Sequence, residues 1–244
     1  MRCALAALGF INGDIAHNQK ILMDTLKVCA SQADLILFGE SYLQGFYGTT
    51  FCPEQDAKIA LSTDSPVITA IRKAAQDAGT AISFGFLEKA GNCFFSSQLT
   101  IDGHGNIADL YRRVSPGWKE PFAAEQYREG QGFHTFSLLG KQVVVALCGD
   151  LWFDHNVAQI RQLEPDLVLW PVYTDYTTDQ WNTSIKHEYA AQAAAVCDTV
   201  LYVNSLCIDP HPEALAKGGA ALFHRGTILR EVPSGAEAIL MVEI

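Results

Sequence analysis

Three short runs in this chain are apolar without a break: Leu35–Phe38, Val143–Leu147 and Leu167–Trp170. A strand with no polar face has to be covered on both sides, so these runs predict a sheet buried between other layers. The segments around them alternate in type. Arg2–Phe10 reads as a strand, and Asn18–Ser31 as an amphipathic helix with Ile21, Leu22, Leu26, Val28 and Cys29 on one stripe. Asp64-Ser65-Pro66 opens a second helix, which runs to about Asp77 and stops at Gly79.

Four strand-like runs follow: Ala81–Leu87, Phe94–Ile101, Ile107–Arg112 and Gln142–Leu147. The turn Asp102-Gly103-His104-Gly105-Asn106 joins the second and third as a hairpin. Residues 113–132 read as irregular, His155–Leu163 and Gln180–Cys197 as helices, and Val200–Asn204, Ala220–Phe223, Thr227–Glu231 and Ala238–Glu243 as strands. Such a mixture implies an α/β layered fold, with a mixed sheet or two packed sheets and helices outside. No repeat or Pro/Gly-rich linker divides the 244 residues, so residues 1–244 are expected to form a single domain.

A formal net charge of −10 argues against nucleic acid or an anionic membrane surface as the main partner. No apolar run approaches the roughly 20 residues of a membrane span. The short stretch at Met1–Phe10 lacks a convincing cleavage site and reads as a buried strand. The cysteines (Cys3, Cys29, Cys52, Cys93, Cys148, Cys197 and Cys207) are odd in number, with no CxxC pair. Reduced thiols in a cytoplasmic protein are the expectation, without a zinc site.

Three places break the local logic of the fold. Glu40 follows an apolar strand directly, and Gly39 allows close backbone approach; the ordinary reading is a solvated glutamate. Cys148 ends another apolar strand and is followed by Gly149 and Asp150. A thiol there can attack a carbonyl or nitrile carbon, with the next backbone N–H holding an oxyanion; the ordinary reading is an inert buried cysteine. The stretch Tyr111–Glu120 carries Arg112, Arg113 and Lys119, which can stabilise developing negative charge or simply form a solvated basic loop. A Cys–His pair is the rival arrangement, with His155 seven residues past Cys148.

Taken in order, these pieces resemble the nitrilase superfamily of carbon–nitrogen hydrolases. Leu35-Ile36-Leu37-Phe38-Gly39-Glu40 is similar to its general-base motif, and Phe95-Ser96-Ser97, Gly105 and Leu110-Tyr111-Arg112 to the hairpin before its lysine. Leu147-Cys148-Gly149-Asp150-Leu151-Trp152-Phe153 is similar to its nucleophile motif. Glu188–Ala193 with Val203-Asn204, and Gly218–Ala221 with Gly226, resemble the segments that follow. The resemblance implies a four-layer α-β-β-α sandwich of two mixed sheets and a homodimer or higher homo-oligomer. It also implies no metal or organic cofactor, and a thioester on Cys148 with Glu40 as base.

At the position of the family's lysine stands Arg113, whose pKa is too high for proton donation. Lys119 is expected to supply the ammonium through an altered loop path, with Arg113 as the alternative. Glu125 is expected to be the family's second glutamate, with Glu120 as competitor.

Gly149-Asp150 in place of the Trp-Glu common in nitrile-hydrating members points to a small linear amide of ω-amide or carbamoyl type. A cation among Arg112, Arg113 and Lys119 is available for a substrate carboxylate. Gly149, Trp118, Trp152 and Tyr173 are the candidate substrate contacts, with Trp170 a further aromatic candidate. A catalytically silent binding protein, nitrile hydrolysis and acyl transfer to an amine are the alternatives.

Overall fold

The computed structural model describes residues 1–210 and 215–244. Its strands are β1 (Arg2–Ala7), β2 (Gly9–Phe10), β3 (Leu35–Phe38), β4 (Ala81–Ala90), β5 (Cys93–Ile101), β6 (Ile107–Arg112) and β7 (Phe136–Leu138). They continue as β8 (Lys141–Val145), β9 (Leu167–Val172), β10 (Thr199–Asn204), β11 (Leu206–Cys207), β12 (Ala220–His224), β13 (Thr227–Val232) and β14 (Ala238–Glu243). The helices are α1 (Ile15–Cys29), α2 (Pro53–Asp56), α3 (Pro66–Ala78), α4 (Asp154–Gln162), α5 (Thr178–Gln180) and α6 (Lys186–Ala194).

The strands form two six-stranded sheets, in the orders β14-β1-β3-β4-β5-β6 and β13-β12-β10-β9-β8-β7. Both are mixed. β1, β3 and β4 run parallel at the centre of the first, as do β8, β9 and β10 in the second, and the flanking pairs are antiparallel.

The alternation of side chains along each strand creates the layers. Leu35 and Leu37 of β3 join a core with Val143 and Val145 of β8 and Leu167 and Leu169 of β9, between the sheets. Ile36 and Phe38 point the other way, onto Leu22 and Leu26 of α1 and Ile68 and Ile71 of α3. On the far side, Val144, Val168 and Trp170 meet Ile160 of α4 and Tyr189, Ala190 and Ala193 of α6. The uninterrupted apolar runs are thus strands with a core on each face, and the layering is helix, sheet, sheet, helix.

Several boundaries differ from the sequence expectation. The first strand stops at Ala7, and Gly9–Phe10 leaves to pair with Leu206–Cys207 in a separate two-stranded ribbon. α1 starts at Ile15 because Asp14 caps it, its carboxylate accepting from the His17 N–H at 2.9 Å. β4 runs on to Ala90 and closes a tight hairpin in which Ala90 pairs with Cys93. The long helix near the C-terminal third is broken by a π-helical turn at Trp181–Ile185 and ends at Ala194. α3 keeps its expected punctuation, with the Ser65 hydroxyl as cap, Pro66 in the first turn and Gly79 left-handed at the end.

Leu37 is fully buried between the sheets. Leu37→Ala should cost about 2–5 kcal/mol, read as a lower denaturant midpoint with unchanged slope.

Candidate active site

Four strands of the two sheets end at one place. Glu40 comes just after β3, Arg113 just after β6, Cys148 after β8 and Tyr173 after β9. The Glu40 N–H donates to the Val172 carbonyl at 3.2 Å, which pins the end of the first sheet to the second. Gly85 of β4 lies directly against this turn. Its N–H donates to the Gly39 carbonyl at 3.2 Å, and a Cβ there would sit 2.2 Å from the Ser41 nitrogen and 2.8 Å from the Glu40 Cα. Two non-glycine residues at this junction take left-handed backbone conformations, Ser41 at φ 53° and Cys148 at φ 42°. Such strain persists only where surrounding contacts over-determine it.

Glu40 is fully buried. Its Oε1 accepts from Arg113 Nη1 at 2.9 Å and from the Ser96 hydroxyl at 3.1 Å. Its Oε2 is buried with no hydrogen-bond partner among the described residues, leaving one oxygen free to take a proton. The Cys148 thiol donates to the Tyr173 carbonyl at 3.4 Å. Burial and then the charge of Glu40 push this thiol up to about 12, with Arg113 pulling the other way. The thiol is therefore protonated at neutral pH, and attack requires a base to remove the proton.

Arg113 is itself buried, and burial works against its charge. The charge of Glu40, with that of Asp150, outweighs this and holds its pKa above the ordinary value. Its Nε donates to the Ser115 hydroxyl at 3.0 Å, which fixes the plane of the guanidinium. A Cβ at Gly149 would fall 2.7 Å from Arg113 Nη2, so the bare glycine is what lets the cation lie beside the nucleophile.

One buried carboxylate locks the two strand ends together. Asp150 Oδ1 accepts from the Ser115 and Val114 N–H groups at 2.7 and 3.2 Å. Its Oδ2 accepts from the Tyr111 hydroxyl at 2.6 Å and the Leu147 N–H at 2.8 Å. The chain that carries Arg113 is thereby tied to the turn that carries Cys148. The Trp170 indole N–H adds a bond to the Cys148 carbonyl at 2.9 Å.

Of the residues expected from the sequence, Glu40, Cys148 and Arg113 come together, with Gly149 and Tyr173 in contact with them. Lys119 does not join them. Its ammonium pairs with Glu129 at 2.6 Å and donates to the Tyr127 carbonyl at 3.0 Å, so the altered loop path is not the one the chain takes. Arg113 occupies the place beside Glu40 because it is the second residue of the pair that leaves β6, one step beyond Arg112. Glu125 and Glu120 are both exposed. The Glu125 backbone carbonyl accepts from Arg128 at 3.4 Å. Trp118 is buried beside Phe51 and Tyr127, at the wall of a small cavity next to Glu40. Trp152 is 43% exposed and packs on Trp170 and Tyr189. His155 is exposed, its ring against Phe153.

Three contributors carried no assignment from the sequence: Ser96, Gly85 and Asp150. Ser96 is one of several polar residues of its strand, with Ser97, Gln98 and Thr100, and neither it nor Gly85 or Asp150 gave a local signal of its contacts.

The Carbon-nitrogen hydrolase family model matches residues 5–244. The chain belongs to this family. A curated relative, an (R)-stereoselective amidase from a Pseudomonas species, is 27% identical over 69% of this chain, which spans 59% of that amidase's length. A citrullinase from Francisella tularensis is 24% identical, covering 98% of this chain and 87% of its own. Among solved structures, an amidase from Nesterenkonia sp. superposes with a TM-score of 0.79 at 21% identity, covering all of this chain and 90% of its own. That likeness extends to the whole four-layer fold. A mutant of the amidase from Nesterenkonia sp. AN1, with a TM-score of 0.78 at 21% identity, carries the product of Michael addition of acrylamide at its active site cysteine.

Asp150→Asn places an N–H₂ group where one set of backbone donors needs an acceptor. The expected result is about 1–3 kcal/mol lower stability in denaturant unfolding and a measurable shift of the Cys148 turn.

Proposed function

We propose that this protein hydrolyses a small linear amide through a thioester on Cys148. The observation that carries this reading is the buried cluster in which one Glu40 oxygen is held by Arg113 and the other is free, with the thiol alongside.

In the first half-reaction Glu40 takes the Sγ proton and the sulfur attacks the amide carbon. A C–S bond forms and the carbonyl electron pair moves to oxygen, where the Arg113 guanidinium and the Gly149 N–H offset the charge. Glu40 then returns the proton to the amide nitrogen, the C–N bond breaks and ammonia or an amine leaves. In the second half-reaction Glu40 takes a proton from water, the resulting hydroxide adds to the thioester carbon, and the C–S bond breaks to release the acid and restore the thiol. Arginine suits the electrostatic part of this scheme, and Glu40 handles every proton, because a guanidinium does not deprotonate.

Ammonia release from a panel of amides and nitriles tests the reading. Cys148→Ala should abolish it, and Glu40→Gln should lower it by about 10²–10⁴-fold. Ligand binding with no release from any member of the panel would leave a silent binding protein as the better account.

The two cations separate in the same assay. Arg113→Ala should lose about 10²-fold or more, as removal of an oxyanion donor does, with partial recovery in Arg113→Lys. Lys119→Ala should stay within about twofold, since its half-exposed pair with Glu129 lies outside the cluster. A large loss in Lys119→Ala with normal turnover in Arg113→Ala would overturn the assignment.

Because the thiol is raised to about 12, its proton is retained below that pH. The kcat/KM profile should therefore show no step at the ordinary thiol value of about 8.5. A clear inflection there would mean that a free thiolate, rather than the Glu40-assisted thiol, is the attacking form.

A further inference from the structure

A guanidinium asks more of its surroundings than an ammonium does. An ammonium is a compact charge whose donors rotate to suit any partner. A guanidinium is a planar fork whose N–H groups leave in fixed directions, so its orientation decides what it can stabilise.

Two of the three nitrogens of Arg113 are committed. Nη1 donates to Glu40 Oε1 at 2.9 Å, and Nε donates to the Ser115 hydroxyl at 3.0 Å. The third, Nη2, has a longer bond of 3.4 Å to the Pro116 carbonyl. This nitrogen lies 2.7 Å from where a Cβ of Gly149 would stand, and Ser115 Oγ lies 3.2 Å from the same point. Gly149 follows the nucleophile directly in the chain. The loosely held end of the fork is therefore the end beside the nucleophile turn.

Glu40 alone does not set this arrangement. A single bond to Nη1 leaves the guanidinium able to swing about the line from Nη1 to Oε1. A second anchor at Nε, with the side-chain stem as a third, removes that freedom. Ser115 can serve as the anchor because it is itself held. It is 1% exposed, and its N–H donates to Asp150 Oδ1 at 2.7 Å. The other oxygen of Asp150 accepts from the N–H of Leu147, one residue before Cys148, at 2.8 Å. The hydroxyl that holds the arginine and the turn that holds the thiol are thus fixed to one carboxylate.

We propose that Ser115 is the positioning residue that suits this site to arginine: by anchoring Nε it aims Nη2 into the space beside Gly149, where charge develops on the carbonyl oxygen. This rests on the thioester reading for where that charge appears. Gly149 is the other half of the arrangement, since a side chain there would meet Nη2. An ammonium in the same place could meet Glu40 without a second anchor, so the role of Ser115 belongs to the guanidinium.

A small aldehyde tests this without turnover. Propionaldehyde adds to a thiol by forming a C–S bond at the carbonyl carbon while the sulfur proton passes to the carbonyl oxygen. The hemithioacetal on Cys148 therefore resembles the tetrahedral intermediate and needs no leaving group. Its dissociation constant is read by NMR of the isotopically labelled carbonyl carbon, with Cys148→Ala as background. Ser115→Ala should weaken the adduct about tenfold in the arginine protein, and by less than about twofold in Arg113→Lys. In nitrogen NMR, the Arg113 Nε–H resonance, assigned by its loss in Arg113→Lys, should be protected from exchange and should lose that protection in Ser115→Ala.

An unchanged adduct in Ser115→Ala overturns the proposal. Equal weakening in both backgrounds does so too, as does weakening with an unaltered Nε–H resonance, since each reduces Ser115 to a loop contact. Where Arg113→Lys forms no adduct, the resonance alone decides. Unfolding of Ser115→Ala with arginine present, but not in Arg113→Lys, is the same coupling read in stability; unfolding in both overturns it. Ammonia release is measured separately. An adduct that depends on Ser115, with no amide hydrolysed, sinks the hydrolase reading and keeps the positioning role, while hydrolysis unaffected by Ser115→Ala does the reverse.

Discussion

The ion pair between Glu40 and Arg113 is the interaction around which the rest of this junction is arranged. Both partners are buried, so neither charge is tolerable without the other. A lone buried carboxylate would be driven to its neutral acid and lose its use as a base. A lone guanidinium has no neutral form available at all. Ser96 and Ser115 satisfy further positions on the two groups, yet one carboxylate oxygen stays open. That asymmetry gives the pair chemical potential beyond its structural role: one oxygen is anchored, the other can accept.

Holding this pair beside a thiol requires two sheets to meet with little freedom. The Glu40 N–H bonds across to Val172, Gly85 packs without a side chain against the Glu40 backbone, and Asp150 gathers four donors from the two strand ends. These contacts sit on strands whose faces are filled by the inter-sheet and helix-facing cores, so the site is built on packed sheet ends. The left-handed backbone at Ser41 and Cys148 fits the same picture, since packed neighbours are what hold such conformations in place.

The electrostatics also separate two jobs that a cluster of basic residues can perform. Arg112, Arg113 and Lys119 look equivalent along the chain as a reservoir of positive charge. In the folded protein each is bound to its own carboxylate, Glu88, Glu40 or Glu129. Only Arg113 pairs with the carboxylate that lies beside the thiol.

Much was legible before any coordinates. The apolar runs demanded cover on both faces, and the strand count with the helical stripes pointed to a mixed sheet or two packed sheets with outer helices, because the period of a side-chain pattern is a local property. Glu40 and Cys148 stood out for the same reason, as polar groups at the ends of apolar strands. The choice between Arg113 and Lys119 lay beyond that reach. Both are cations on one irregular stretch, and the outcome turned on Glu129 and Tyr127 capturing one of them while Glu40 captured the other. Ser96, Gly85 and Asp150 were hidden likewise, because, Leu147 apart, their partners are between 35 and 56 residues away along the chain. The sequence by itself set which strands need cover on both faces and marked Glu40 and Cys148 as polar groups at strand ends, since both follow from local pattern. Which cation, which hydroxyl and which carboxylate complete the site was decided only by tertiary structure, because charge pairing depends on distance through space and burial sets the cost of leaving any partner unmatched.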